Sequence, residues 1–331
     1  MTIYYLITEQ CNLNCSHCIR GKSNVEYMDV TKACNGLEEI KEVFPNATIV
    51  ISGGEPTLHP EFDIILNTAM LLFERVAINS NGTTDFYKKY HDKYKKLCIQ
   101  FSLDGDQEFH DSMRGNGTFM KVMESIHHLN SKGHTVWISS VVTKKNIESI
   151  KRLPEILSRY NIGKWHVSPV MPFGNASWED VLPTDMWNSL VDDLILKTPF
   201  RLGIRKLFDF TRLELLTDEQ IDQIAQSLRN QEYKNCGCIR NKLYVYPDMG
   251  VYACTCVKDD ILGYMDKENI AEIVKNRSAQ KYLDFYADNE VCIKCRYHKI
   301  CNGGCVGLYK KYGFDIRCPQ IKKKYEKNFL L

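Results

Sequence analysis

Short apolar runs alternate with longer amphipathic segments through the first 170 residues of this 331-residue chain. Strands are expected at Ile3–Thr8, Thr48–Ser52, Val76–Asn79, Cys98–Leu103, Val136–Val142 and Trp165–Val170. Helical periodicity is expected between them, at Val30–Phe44, Glu61–Phe73, Asp85–Lys95, Phe119–Ser131 and Ile147–Tyr160. Alternation at this spacing argues for an α/β chain, with a parallel sheet and helices outside it. Six βα units are too few for a closed eight-stranded barrel. A partial barrel and a doubly wound sheet both satisfy the pattern. In either, functional groups gather in the loops that follow the strands.

The polar and glycine-rich stretches do fall after the strands. Cys11-Asn12-Leu13-Asn14-Cys15-Ser16-His17-Cys18 follows the first, Ser52-Gly53-Gly54-Glu55-Pro56 the second and Asn79-Ser80-Asn81-Gly82 the third. Ser102-Leu103-Asp104-Gly105 closes the fourth. Three thiolates at C-x3-C-x2-C spacing can hold three irons of a four-iron cluster and leave the fourth without a protein ligand.

The chain has 14 cysteines, three within residues 11–18 and nine within 236–318. Clustering of this kind in a reducing compartment reads as metal binding rather than disulfides. Cys34 and Cys98 stand apart and read as small core residues. A net charge of +2 implies no broad attraction to nucleic acid or membrane. No apolar run reaches spanning length and no signal peptide is read, so a cytoplasmic location is expected. Pro169, Pro172 and Gly174 interrupt the alternation, and two helices follow, about Thr184–Leu196 and Thr217–Gln231. The expected division is a core over 1–200, a helical bridge over 201–235 and a small cysteine-rich domain over 236–331. The last segment has little apolar core of its own, so metal is expected to hold it together.

Cys11, Cys15 and Cys18, Gly53-Gly54-Glu55-Pro56 and the βα repeat together resemble the radical S-adenosylmethionine (SAM) enzymes over roughly residues 1–200. The resemblance implies a partial (β/α)6 TIM-like barrel and a [4Fe-4S] cluster whose open iron binds SAM. Electron transfer into the sulfonium would yield a 5′-deoxyadenosyl radical that abstracts hydrogen. Gly53 and Gly54 would let the backbone approach SAM, and Glu55 would accept from its ammonium group. Ser102 and Asp104 are similar to the family's ribose-contacting strand end, with Asn81 beside them; a simple turn also accounts for Asp104-Gly105. His17 is expected to pack near the cluster. Arg114, in a stretch common in one subgroup, would pair with the SAM carboxylate or form a structural ion pair.

The ladder Cys292, Cys295, Cys301, Cys305 and Cys318, with Cys238 and Cys254 upstream, resembles the SPASM domain of peptide-modifying radical SAM enzymes. That implies two auxiliary [4Fe-4S] clusters. One would take Cys238, Cys254 and Cys305, with Cys256 or Cys236 completing it. The other would take Cys292, Cys295, Cys301 and Cys318. Met249 stands where the family usually has glycine, and the Cys254-x-Cys256 spacing is tight. A pair of zinc knuckles is the alternative for the ladder.

The resemblance points to a peptide substrate, a ribosomal precursor, and to crosslinking through a C–C or thioether bond. Formylglycine formation is disfavoured, because Thr255 and Val257 follow Cys254 and Cys256 where an acid is expected. Peptide epimerisation is a further alternative, and a non-catalytic zinc-binding protein is the reading from another class. Ten residues precede Cys11, so a separate leader-binding partner is expected, or else the bridge and SPASM regions recognise the leader. Trp178, Trp187 and Phe200–Phe210 would line a peptide groove or sit in the core. A flavodoxin or ferredoxin would supply electrons.

Overall fold

A computed structural model describes residues 1–20, 26–89, 97–204, 215–230, 238–318 and 320–321. Six parallel strands appear where the apolar runs lie: β1 (Thr2–Thr8), β2 (Thr48–Gly53), β3 (Arg75–Ser80), β4 (Cys98–Ser102), β5 (Val136–Val142) and β6 (Ile162–Pro169). The helices α1 (Val30–Val43), α2 (Phe62–Leu72), α4 (Thr118–Ser131) and α5 (Ile147–Leu157) match expectation within a few residues. The segment expected as a helix from Asp85 begins as a 3₁₀ turn, Asp85–Lys89, and its remainder lies outside the described residues. Within the alternating region, a helix that was not expected appears among the described residues: α3 (Gln107–Arg114), whose N-cap Asp106 accepts from the Phe109 N–H. Beyond β6 come α6 (Thr184–Lys197), the two-residue β7 (Leu202–Gly203) and α7 (Asp218–Asn230).

The sheet does not stop at the sixth strand. Its order is β10-β9-β8-β1-β2-β3-β4-β5-β6-β7, with β8 (Lys242–Val245), β9 (Gly250–Tyr252) and β10 (Ile261–Tyr264) contributed by the cysteine-rich segment. β8 runs parallel to β1, in register from Thr2 opposite Lys242 to Tyr5 opposite Val245. β9 and β10 continue the sheet as an antiparallel hairpin. The expected core and the expected C-terminal domain therefore share one sheet. Short helices finish the chain: α8 (Ile270–Ile273), α9 (Arg277–Leu283), α10 (Glu290–Ile293), α11 (His298–Cys301) and α12 (Val306–Tyr312). Among the described residues, no helix is long and apolar enough to cross a membrane.

Alternation along each strand sends Ile3, Tyr5, Ile7, Ile49, Ile51 and Ile78 into one core with the outer helices. α1 buries Ala33, Gly36, Leu37 and Ile40, spaced to form a single stripe. Each fully buried aliphatic side chain contributes about 1.5–3 kcal/mol. Gly36 marks the closest approach, since a Cβ there would lie 2.6 Å from the Tyr5 hydroxyl. That hydroxyl donates to the Ala33 carbonyl at 2.9 Å, which ties strand to helix. Trp187 is buried in this core, and Trp178 is partly exposed against Tyr312. Cys34 and Cys98 are half-buried rather than core residues, and the Cys34 thiol meets the Thr68 hydroxyl at 3.4 Å.

Candidate active site

The C-terminal ends of the parallel strands form a rim on which the N-terminal cysteines sit. Two distant segments clamp their loop. The Ser16 N–H donates to the carbonyl of Met113, near the end of α3, at 2.9 Å. On the other side the Asn175 side-chain amide donates to the Cys15 carbonyl at 2.9 Å, and the Asn175 N–H donates to the Cys18 carbonyl at 2.9 Å. Gly174 allows this, because a Cβ there would come 2.2 Å from the Cys18 carbonyl oxygen. Cys15 is buried, while Cys11 and Cys18 are half-buried. Burial pushes the Cys15 thiol up to about 11, against the pull of Arg114 and with the repulsion of Cys11 and Cys18. Burial also raises Cys11.

These residues fit a four-iron cluster with one iron free of protein. The donors are three soft thiols on one loop, close enough to act on one another's charge, and a guanidinium faces them. Among the described residues, no three His, Cys, Asp or Glu side chains converge as they do around a single metal ion.

Gly53-Gly54-Glu55 packs directly beneath that loop. The Gly54 N–H donates to the Thr8 carbonyl at 2.9 Å, and the Glu55 N–H donates to the Gln10 carbonyl at 2.8 Å. A Cβ on Gly54 would lie 2.2 Å from the Gln10 carbonyl oxygen, so only glycine permits the contact. Gly53 has a φ of +156°, and a Cβ there would lie 2.4 Å from the Thr8 carbonyl oxygen. Glu55 is fully buried. One carboxylate oxygen accepts from the Thr57 hydroxyl at 2.6 Å and the Ser80 hydroxyl at 3.0 Å, and the other accepts from the Asn81 N–H at 2.7 Å. Burial raises its pKa, and these donors oppose the rise. Asn81 in turn donates to the Asn12 side chain at 2.8 Å and lies 3.8 Å from the Cys11 sulfur. Ser102 is half-buried at the end of β4, opposite Ser139.

Asp104 is fully buried and its oxygens are engaged within the protein. One accepts from the Val141 N–H at 2.7 Å; the other accepts from Arg114 Nε at 2.5 Å and lies 3.1 Å from His17 Nε2. Burial opposes its charge, yet Arg114 and His17 hold its carboxyl well below the usual carboxylate range. Arg114 and Asp104 thus form a buried ion pair. The guanidinium also reaches Cys15 Sγ at 3.9 Å and His17 Nε2 at 3.3 Å. His17, also buried, belongs to the same group.

The downstream cysteines form two groups. Cys254 Sγ accepts hydrogen bonds from Cys238 and Cys256, which hold its thiol well below the usual range. Cys256 and Cys305 pack in one apolar cluster with Ile19 and Phe173, beside the N-terminal loop. Cys292, Cys295, Cys301 and Cys318 line one cavity with His298. Burial pushes Cys301 up to about 12 and Cys318 up to about 11. Cys236 lies outside the described residues.

Sequence reasoning missed the residues that brace the rim. Asn146, fully buried, donates to the Asp104 and Val141 carbonyls and accepts from the Thr143 N–H. Thr57 and Ser80 fix Glu55. A capping Asp106 before an eight-residue amphipathic stretch was the available signal for α3, and with it for the path from Arg114 to Cys15.

The family model described as "Radical SAM superfamily" matches residues 5–173. The "Mycofactocin maturase MftC" of Mycobacterium tuberculosis (strain CDC 1551 / Oshkosh) is 26% identical over 324 residues, covering 95% of this chain and 80% of the relative. An "AdoMet-dependent heme synthase" of Nitratidesulfovibrio vulgaris is 23% identical, covering 92% of this chain and 86% of the relative. The fold is that of Streptococcus suis SuiB bound to precursor peptide SuiA, with a TM-score of 0.78 at 18% identity, over 96% of this chain and 75% of that one.

Proposed function

Because the chain belongs to the radical SAM superfamily, and so is an enzyme of [4Fe-4S] and SAM chemistry, we propose that it is a peptide maturase. It takes hydrogen from a ribosomally made peptide and joins two of that peptide's residues through a C–C or thioether bond. The observation that carries this reading is the pair of thiol groups beyond residue 236, grouped as Cys238, Cys254, Cys256 with Cys305, and Cys292, Cys295, Cys301 with Cys318. A crosslink removes two hydrogens. One hydrogen atom leaves in the abstraction; the second leaves as a proton and an electron, and a cluster held by the downstream cysteines would take up that electron. The similarity to a mycofactocin maturase along 95% of the chain supports the peptide reading.

On this reading residues 1–200 form the radical SAM core, 201–235 the bridge and 236–331 the SPASM-like part. Cys11, Cys15 and Cys18 hold the SAM-binding cluster, which when filled supplies the hydrogen-abstracting radical. Gly53 and Gly54 bring backbone to SAM, and Glu55, Asn81 and Ser102 shape its bed. A separate leader-binding protein and a flavodoxin or ferredoxin donor complete the system.

Anaerobic reconstitution tests it. The protein should hold roughly 12 irons if three four-iron clusters form. Reduction with SAM should release 5′-deoxyadenosine, and replacing Cys11, Cys15 and Cys18 by Ala should abolish that release. A short peptide encoded beside the gene should lose two hydrogens on incubation. Release that survives the triple replacement sinks the cluster assignment; an unchanged mass sinks the crosslink. The heme synthase relative favours a second reading, in which the substrate is a porphyrin. Conversion of a porphyrin with no change in the peptide would select it.

A further inference from the structure

Arg114 is the cation that the fold builds into the cluster loop. Its side chain is 10% exposed and that of its partner Asp104 is 0% exposed. Three elements fix the pair. α3 carries Arg114 and is tied to the loop through Met113 and Ser16. β4 delivers Asp104, and β5 supplies the Val141 N–H that holds the other carboxylate oxygen at 2.7 Å. With Nε committed to Asp104 at 2.5 Å, Nη1 faces Cys15 Sγ at 3.9 Å and Nη2 faces His17 at 3.3 Å. The fork is thus directed at a sulfur by a carboxylate behind it.

We propose that Arg114 is a positioning residue for the N-terminal cluster: it orients the Cys15 sulfur and makes the cluster easier to reduce, and Asp104 sets how strongly it does so. The inference rests on the cluster reading of Cys11, Cys15 and Cys18. Reduction adds one electron to the cluster and changes no bond. A cation beside a ligating sulfur therefore stabilises the reduced state more than the oxidised one. In a site as dry as this, charge acts with far less screening than in water. Asp104 acts on the Cys15 sulfur more weakly than the guanidinium and with the opposite sign. Removing the two members of the pair must then move the potential in opposite directions. A role confined to folding gives no such opposition.

The test is an EPR-monitored redox titration of the full-length, reconstituted protein. The N-terminal cluster is identified as the signal missing from the Cys11, Cys15 and Cys18 to Ala variant. Arg114→Gln should lower the reduction equilibrium of that signal about tenfold, which is 59 mV for a one-electron couple. Asp104→Asn should raise it. Arg114→Lys keeps the charge and should stay within about threefold of the parent. Shifts of the same sign in Arg114→Gln and Asp104→Asn overturn the proposal, as do shifts below about threefold in both. If Arg114→Gln cannot retain iron, Asp104→Asn decides alone, and an unchanged or lowered potential overturns it. A parent protein without that signal would instead overturn the cluster reading itself.

Discussion

Gly54→Ala is the sharpest test of how the rim is assembled. The added Cβ would lie 2.2 Å from the Gln10 carbonyl oxygen, 2.6 Å from the Gln10 carbonyl carbon and 2.7 Å from the Glu9 carbonyl oxygen. All three neighbours are backbone, so no side-chain rotation relieves the clash. Ordinary contact begins near 3.4 Å, and the 9–10 segment must retreat by the difference. That retreat breaks the Glu55 N–H bond to Gln10, now 2.8 Å long. The lost bond costs about 1 kcal/mol and the overpacking about 1–3, so a destabilisation of about 2–4 kcal/mol is expected. Because Gln10 adjoins Cys11, iron retention should fall as well. The assays are denaturant unfolding of the protein as isolated and iron content after reconstitution. Gly133→Ala is the control: its φ is +81°, but a Cβ there meets nothing within 4 Å, so only backbone strain of about 1 kcal/mol applies. A Gly54→Ala protein as stable as Gly133→Ala and with full iron would refute the close-approach argument.

Two further outcomes follow from buried polar groups. His110 accepts from the Asp104 N–H through Nδ1, and burial, helped by Arg114, lowers its pKa to about 4. The unfolded chain takes up this proton near pH 6.5, so the stability held by neutral His110 is complete above pH 6.5 and is lost as pH falls toward 4. The loss is about 3 kcal/mol at most; unfolding free energies measured across that window should flatten in His110→Asn, and an equal slope in both proteins refutes it. Glu55→Gln places an amide NH₂ where one carboxylate oxygen now accepts from the Thr57 N–H and the Thr57 and Ser80 hydroxyls and the other from the Asn81 N–H. One donor must then face another, at a cost of about 1–3 kcal/mol; denaturant unfolding within about 0.5 kcal/mol of the parent would exclude that mismatch.

The parts of the fold legible in the sequence were those with long periodic signals. β1 to β6 and the helices α1, α2, α4, α5 and α6 each carry enough apolar residues to reveal their period. α3 was hidden because only His110 and Met113 are buried on it. β7 and β8 span two and four residues, too short for alternation to register. The extension of the sheet past β1 is a pairing between Thr2–Tyr5 and Lys242–Val245, a long-range fact with no local signature. In the site, cysteine spacing and Gly53-Gly54 were readable because ligand chemistry and close packing demand particular residue types. The Asp104–Arg114 pair and the Asn146 brace depend on which loops meet, and that is decided by the order of the strands.

That order has a consequence for how the molecule can be divided. β1 runs directly into Cys11 and β8 leads through its hairpin to Cys254, and the two strands lie side by side. The N-terminal cysteine loop and the segment bearing Cys254 thus hang from one continuous sheet, with β8 between β1 and β9. A ladder of backbone hydrogen bonds, not a linker, joins the two cysteine-bearing segments. Cutting the chain before residue 238 would therefore not release a smaller catalyst. It would strip β1 of its neighbour and leave a bare, apolar strand edge at the foot of the cysteine loop, a template for aggregation.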